Sequence, residues 1–421
     1  MLWQVPVSRP RPVRPRLCDH TLRVVVVGLG AMGSAAAFHL ARRGAHVTGL
    51  EAFGPSHDRG SSHGESRIIR QAYFEGPGYV PLVLRSYQLW RELEALSKER
   101  LLETTGGVMI GAPDGPVVAG SLASARKWDI PHRLLTTAEV AREFPALRPR
   151  PDQAGLVEPE AGVLAPESAV LAHLRQAASR GAELHFGERV LSWEASESGV
   201  VVRTDSRPYQ ADRLVLTAGA GSAGLWNLPV LELQVERQVM VWFEPTDIGP
   251  FTPPSCPIYL FERPDGAQYY GVPTRDGRTA KAARHHGGEF TTADTVRREV
   301  TEADVYAVRE GLADTVPMLA QAPLAKSSSC LYTNSADKHF VIGLHPNSSL
   351  VSLAGGFSGH GFKFCPVVGE VLADLVESGE TAQPIGEFNP NRFSAHQSGG
   401  KGISGSGGTP MPSADITSPI T

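Results

Sequence analysis

Three glycines, one acid and a handful of cations carry most of the chemistry this sequence could perform. Gly28, Gly30 and Gly33 stand in Gly28-Leu29-Gly30-Ala31-Met32-Gly33, directly after the apolar run RVVVV, and Glu51 follows 23 positions after the first glycine. A helix that starts in such a loop presents unpaired N–H groups and a partial positive charge, which suits a pyrophosphate. Gly28 then permits the tight turn, Gly30 the close approach of phosphate and Gly33 the close packing of helix on strand. Glu51, at the end of the second strand, can accept the hydroxyls of an adenosine ribose. The motif predicts a dinucleotide site and leaves FAD and NAD open.

The cations are more selective. Arg67 and Arg70 lie three apart after the glycine-rich stretch Gly60-Ser61-Ser62-His63-Gly64-Glu65-Ser66. Two guanidiniums on one short segment suit an anion, and a planar fork matches a carboxylate; read blandly, they are surface arginines paired with Glu65 or Glu75. Lys363 follows four glycines in eight residues, GGFSGHGF, a loop that can approach a ligand closely because it lacks side-chain bulk. Its bland reading is a lysine snorkelling from a helix start. Cys330 taken alone is a small buried hydrophobe, and Lys281 in GRTAKAARHH a solvated charge.

Three segments together resemble the monomeric sarcosine oxidase and N-methyltryptophan oxidase family, in order and over residues 23–393. They are Gly60 to Tyr73 (GSSHGESRIIRQAY), Cys330-Leu331-Tyr332-Thr333 with Phe340-Val341-Ile342 downstream, and Gly356-Phe357-Ser358-Gly359-His360-Gly361-Phe362-Lys363-Phe364. Peroxisomal sarcosine and pipecolate oxidases share these motifs. The resemblance implies that Arg70 and Lys363 hold the substrate carboxylate, that Arg67 lies against the flavin ring, and that Cys330 carries FAD as an 8α-S-cysteinyl thioether. It implies a lysine that assists the reaction with oxygen at Lys281, with Arg278 and Arg284 as alternative matches. A fixed cation about 4 Å from developing negative charge is worth roughly 4 kcal/mol at an effective dielectric of about 20, on the order of a thousandfold in rate. Tyr270, Tyr332 and His285 correspond to the amine pocket, although His286 could take the place of His285, and both tyrosines could be half-buried strand aromatics. Tyr73 and Glu75 correspond to the loop over the substrate. Ser61, His63 and Ser66 fall near the flavin, and Met32, Val190, Gly219, Gly356, Gly359 and Phe362 complete the implied cofactor contacts. Two departures bear on the pocket. Gly221 stands where the family has an aromatic residue, and the strand at residues 258–263 differs.

These residues need a scaffold. RVVVV, the glycine loop, the helical SAAAFHLARR ending at Gly44 and the strand up to Glu51 form one strand–loop–helix–strand unit. Helices are predicted at 79–96, 137–144, 167–180, 301–312 and 366–377. Strands are predicted at 104–111, 183–186, 190–194, 200–204, 214–219 and 350–354, with alternating ones in the proline-rich middle. The pattern predicts an α/β chain (α+β overall): a Rossmann-like FAD-binding domain interleaved with a mostly antiparallel-sheet substrate domain. The expected order is a disordered leader (1–21), FAD-binding segments (22–100, 166–226, 326–393), substrate-domain segments (101–165, 227–325) and a disordered tail (394–421).

Composition narrows the class. With 40 basic and 44 acidic residues the chain has no general attraction for nucleic acid or an anionic membrane. Cys18, Cys256, Cys330 and Cys365 are scattered without a CxxC pair, against a zinc site or a disulfide framework and in keeping with the cytoplasm. No apolar run is long enough to span a bilayer. The expectation is a cytoplasmic monomeric flavoprotein, with no metal, that oxidises a small secondary amino acid to an imine and reduces O2 to hydrogen peroxide. The rival substrates are cyclic or bulkier: pipecolate, proline or N-methyltryptophan. An NAD(P)-dependent reductase and a non-catalytic nucleotide-binding protein are the rivals outside the family.

Overall fold

The computed structural model describes residues 21–397. The expected leader, except for residue 21, and the expected tail from residue 398 onward lie outside the described residues. Residues 394–397 close the helical stretch Pro390–Gln397, so the first four residues of the expected tail are helical.

The strand Arg23–Val27 sits in the middle of a six-stranded sheet and has parallel neighbours on both edges, His46–Glu51 and Arg213–Leu216. Its alternating valines enter two different cores. Val24 and Val26 pack under the helices Ala31–Arg42, Pro166–Ala178 and Cys365–Ser378, while Val25 and Val27 meet Val200 and Val202 of a small antiparallel sheet. A strand covered on both faces has nowhere to expose a polar side chain, hence the unbroken valine run. Glu183–Phe186 and Ser348–Gly355 extend the parallel sheet, and Val341–His345 closes one edge antiparallel. The helix Ala31–Arg42 ends through Gly44, whose φ of +87° supplies the left-handed turn predicted there.

A second, nine-stranded sheet is antiparallel except where Ile258–Glu262 runs parallel to Gly107–Gly111. Its longest pair is Gln234–Phe243 against Leu324–Asn334. That pairing corrects one boundary. The sequence placed residues 326 onward with the nucleotide-binding sheet, but the ladder keeps Cys330 and Tyr332 in the second sheet, and the chain crosses back only after Asn334. The polar, serine-rich start of that strand (LAKSSSC) hid its extent. A helix at Pro116–Lys127 also escaped the sequence reading; Gly115 precedes it and Pro116 takes its first position.

The second sheet has two unlike faces. On one, Tyr259, Phe261, Val241, Phe243, Ala280 and Ala282 form a core with Val305, Val308 and Leu312 of the helix Glu302–Leu312. Period-two alternation turns the intervening residues to the other face, and these are the ones with chemistry.

Candidate active site

Three loops leave the carboxyl ends of parallel strands side by side, each through a left-handed glycine: Gly28 (φ +83°), Gly219 (φ +55°) and Gly356 (φ +59°). Open α/β sheets bind their ligands at this end. A Cβ on Gly33 would lie 1.7 Å from the Gly28 carbonyl oxygen, so only glycine lets the helix sit on the loop. The helix has no acid in its first turn, which includes Met32, and the Ala31 N–H donates to Ser62 Oγ at 3.2 Å. Glu51 is buried and accepts the Leu29 N–H at 2.8 Å, tying the strand end to the glycine loop. Val190 packs on the apolar cluster that holds Leu50 and Leu216, and Gly219 is exposed.

The chemistry-bearing face of the second sheet lies against the segment that follows the dinucleotide unit. Directly opposed residues share a face, and the ladders place Lys281 opposite Trp242, Tyr270 opposite Ala283, Cys330 opposite Gln238 and Tyr332 opposite Glu236. Arg67 reaches over this face. Its guanidinium donates to the Ser61 and Ser66 carbonyls at 2.8 Å and lies 3.5 Å from Cys330 Sγ. Burial pushes the Cys330 thiol up, but Arg67, His63 and Lys281 outweigh it and bring its pKa to about 7. Ser61 Oγ donates to the Leu331 carbonyl at 2.6 Å, fixing the loop to the cysteine strand.

Lys281 is buried, and its ammonium donates to Gly64 O (2.7 Å), Ser66 O (3.1 Å) and Ser66 Oγ (3.2 Å). Burial and the nearby Arg67 charge drive its pKa well down. The two alternative cations are elsewhere: Arg278 is exposed and paired with Glu244, and Arg284 belongs to the opposite face beside Tyr269. The two neighbouring histidines also have different polar partners. His285 meets Tyr332 Oη at 3.2 Å, whereas His286 turns to Glu236 at 3.0 Å. Tyr270 packs on Met240, Trp242 and Cys330.

Arg70 is buried; its Nη2 donates to both Glu75 carboxylate oxygens, at 2.7 and 2.6 Å, its Nη1 donates to the Ala72 carbonyl at 3.0 Å, and its charge lies over the Tyr73 and Phe74 rings. The Glu75 partner foreseen for a surface arginine is real, but Arg70 is buried and Glu75 half-buried. Burial raises the Glu75 pKa; Arg70, His360 and Lys363 more than reverse this and take it to about 2. Lys363 donates to the His360 carbonyl at 2.8 Å and approaches Tyr73 Oη at 3.4 Å. Burial, then Arg70, depress the Lys363 pKa to about 7 against the pull of Glu75. Tyr73 is wholly buried, its hydroxyl 2.7 Å from His360 Nδ1, so it works through His360 and Lys363 and not as an open pocket wall. Phe362 stacks on Trp90, and a Cβ on Gly359 would stand 2.3 Å from the Tyr332 ring. His285 sits in the field of Glu75, His360 and Arg70, which joins the Arg70 group to the Cys330 face.

Three residues were not assigned from the sequence. Glu158 is fully buried and accepts the N–H groups of Gln71 and Ala72 at 2.6 and 2.8 Å, fixing the backbone after Arg70. Glu236 gathers Gln238, Gly288, Asn334 and His286. His360 sits inside a quoted motif without a role. Glu236 was detectable, because in QVERQVMVWF it shares the inward parity of Met240 and Trp242.

The donor set fits a flavin. The buried atoms His63 Nε2, Thr333 Oγ1 and Asn334 Oδ1 have no protein partner, and orphaned buried polar atoms are rare unless a ligand meets them. His63 lies beside the Cys330 thiol, and Asn334 shares the strand face of Cys330 and Tyr332.

Comparison with known proteins agrees. The family described as FAD dependent oxidoreductase matches residues 23–375. A monomeric sarcosine oxidase of Streptomyces avermitilis is 48% identical over 379 residues, which are 89% of this chain and 98% of that one. An N-methyl-L-tryptophan oxidase of Salmonella dublin is 32% identical, over 88% of this chain and 99% of that one. Among solved structures, the open form of NikD, an unusual amino acid oxidase essential for nikkomycin biosynthesis, superposes with a TM-score of 0.76 at 24% identity. It covers 88% of this chain and 98% of that one.

Proposed function

The chain belongs to the FAD-dependent oxidoreductase family, and from that premise we propose a sarcosine oxidase-like enzyme that oxidises a small N-methyl amino acid and passes the electrons to O2. One observation carries the reading: two buried cations, Arg70 and Lys363, converge at the edge of a sheet face that bears Cys330, Tyr270, Tyr332 and His285. Buried cations are costly unless an anion meets them. Glu75 now sits on Nη2 of Arg70, and a substrate carboxylate is its chemical equal. With the carboxylate between Arg70 and Lys363, the amine and its methyl carbon point along the sheet face toward Cys330. Holding them there supplies most of the rate gain, since orientation replaces a bimolecular encounter. His285, kept neutral by burial first and then by His286, places no positive charge beside the amine.

The flavin, when bound, takes a hydride equivalent from the substrate carbon. Cys330, its thiol lowered to about 7, supplies the sulfur of a thioether tether to it. His63, Ser61, Arg67 and the glycine loop hold the rest of the cofactor. Lys281 Nζ, a depressed and therefore ready proton donor, serves the oxygen side. The imine product hydrolyses with water; for sarcosine this gives glycine and formaldehyde. Among the described residues no helix is long and apolar enough to cross a membrane, and Cys256, Cys330 and Cys365 are free thiols, as a reducing compartment keeps them.

Gly221 favours a second substrate class. A Cβ there would meet only Ala218 Cβ at 3.8 Å, so the position has room for the missing aromatic and leaves space that a cyclic or bulkier amino acid could use. The test is anaerobic titration of the purified protein with sarcosine, N-methyltryptophan, proline and pipecolate in turn, following oxidised-flavin absorbance. Bleaching by sarcosine at the lowest concentration supports the proposal, and bleaching by none of the four overturns it.

A further inference from the structure

Successive strand residues face opposite sides. After Lys281, Ala283 and His285 on the chemistry-bearing face, His286 should therefore turn away. Instead it takes a left-handed φ of +65°, and its ring stands 4.4 Å from that of His285 and 5.3 Å from that of Tyr332. A residue with a side chain keeps such a backbone only where its surroundings fix it, and such residues gather at functional sites. Here Glu236 fixes it. Its buried carboxylate accepts from His286 Nδ1 at 3.0 Å, the Gly288 N–H at 2.8 Å, Gln238 Nε2 at 2.8 Å and Asn334 Nδ2 at 2.7 Å. Burial raises the Glu236 pKa, but the hydrogen bonds from His286, Asn334 and Gly288 more than reverse this and take it to about 2. An ionised carboxylate only accepts, so His286 Nδ1 carries a hydrogen, and Nε2 of the neutral ring keeps its lone pair.

We propose that Glu236 and His286 form a carboxylate–histidine pair that takes the proton of the substrate amine before the neighbouring C–H bond breaks. The inference rests on the oxidase reading above, which names no base. A secondary amine arrives protonated, and its nitrogen needs a lone pair before the adjacent carbon can give up a hydride. In the transfer an N–H bond of the ammonium breaks and an Nε2–H bond forms. The positive charge passes to an imidazolium held against Glu236, and the ring, 22% exposed, returns the proton to water. A base oriented by a carboxylate on one ring nitrogen, with the other nitrogen open, is the arrangement that general-base histidines use. His285 is less suited, because burial and then His286 oppose a charge on it and Tyr332 Oη stands 3.2 Å from its Nδ1. Tyr332 and His285 border the amine on the reading above, so the His286 ring beside them reaches it with at most one water between. The groups around the pair are Tyr332 on the neighbouring strand, His285 on its own, and Arg284, whose guanidinium packs against Gly287; beyond His285 lie Glu75, His360 and Arg70.

Holoenzyme is mixed anaerobically with whichever of the four amino acids bleaches wild type at the lowest concentration. The limiting rate of flavin reduction is followed by stopped flow from pH 6 to pH 9. His286→Asn accepts the left-handed backbone and can still donate to Glu236, but it has no basic nitrogen. Its limiting rate should lie about a hundredfold below wild type at pH 7. The gap should close toward pH 9, as solvent takes the amine proton instead, and the dissociation constant of a simple carboxylic acid should not change. In His286→Gly, which relieves the backbone and opens the ring's place, added imidazole should restore the rate in proportion to its unprotonated concentration. A residue with only a structural role would show neither response. Wild-type rates in His286→Asn, or a loss that neither high pH nor imidazole repairs, would overturn the pair as proton acceptor and leave the oxidase reading intact. Failure of all four amino acids to bleach wild type would instead overturn the oxidase reading, and the pair with it.

Discussion

Lys363 shows how burial sets a working range. Its ammonium is held at about 7 by burial and by Arg70, against Glu75. Because its folded pKa lies below the ordinary lysine value, the charge is present below about pH 7 and lost above it. Affinity for a carboxylate ligand should therefore fall as pH rises through 7, by up to about tenfold per pH unit, as the attraction disappears. A simple carboxylic acid without an amine makes the measurement clean, because the ligand does not titrate in that range. Its dissociation constant, read from the flavin spectrum, should rise from pH 6 to pH 9 in wild type and stay flat in Lys363→Met, which should bind about a hundredfold more weakly at pH 6 for want of a charged hydrogen bond. A flat wild-type profile would remove Lys363 from the binding site. Cys330 makes a second residue-scale claim. In Cys330→Ala the flavin should leave with the supernatant after acid precipitation, while in wild type the yellow colour should stay in the pellet.

Elements explain why the cations were readable and much of their support was not. The valine strand, the glycine loop and Gly44 obey local rules, so the parallel unit was visible in the sequence. Arg67, Arg70 and Lys363 stood out because glycine-rich surroundings are poor places to bury a cation without purpose. Glu158 did not, because what makes it matter is a pairing 86 and 87 residues away, with Ala72 and Gln71. The strand Leu324–Asn334 was not read for the same reason: its polar serines are tolerated because the ladder with Gln234–Phe243 covers their backbone. Gly359 tests this level of organisation. It sits at φ +82° with the Tyr332 ring where a side chain would go. Gly359→Ala should cost about 1–3 kcal/mol of stability from the left-handed backbone and the displaced ring. It should also raise KM for the amino acid more than it lowers the rate of reaction with oxygen, since Tyr332 and Lys281 are served by different neighbours. Equal losses in both would mean that the loop positions the whole site as one body.

At the scale of the whole molecule, the helix layer behind the dinucleotide loop controls how the protein meets acid. His39, on the helix that follows the glycine loop, and His173, on Pro166–Ala178, are buried with Phe38 and Trp90. Burial first, then neighbouring positive charge, lowers both pKa values to about 3. The unfolded chain takes up protons on each histidine below about 6.5 and the folded one does not, so stability is full above 6.5 and drains as pH falls toward 3. The slope is about 1.4 kcal/mol per pH unit for each histidine. His285 and His360, also buried and depressed, add to the same loss in the site itself. Comparison of variants isolates one member. His173→Leu keeps the apolar packing and removes one proton acceptor, so its loss of urea stability between pH 7.5 and 5.5 should be smaller than that of wild type by about 1.4 kcal/mol. Because this layer presses the dinucleotide helix onto the sheet, the same acid step should release any flavin not held by Cys330. In Cys330→Ala, flavin fluorescence should therefore rise along the unfolding curve as pH falls, and His173→Leu in that background should shift the rise to lower pH. Coincident curves for the two proteins would show that the buried histidines do not govern the acid limit.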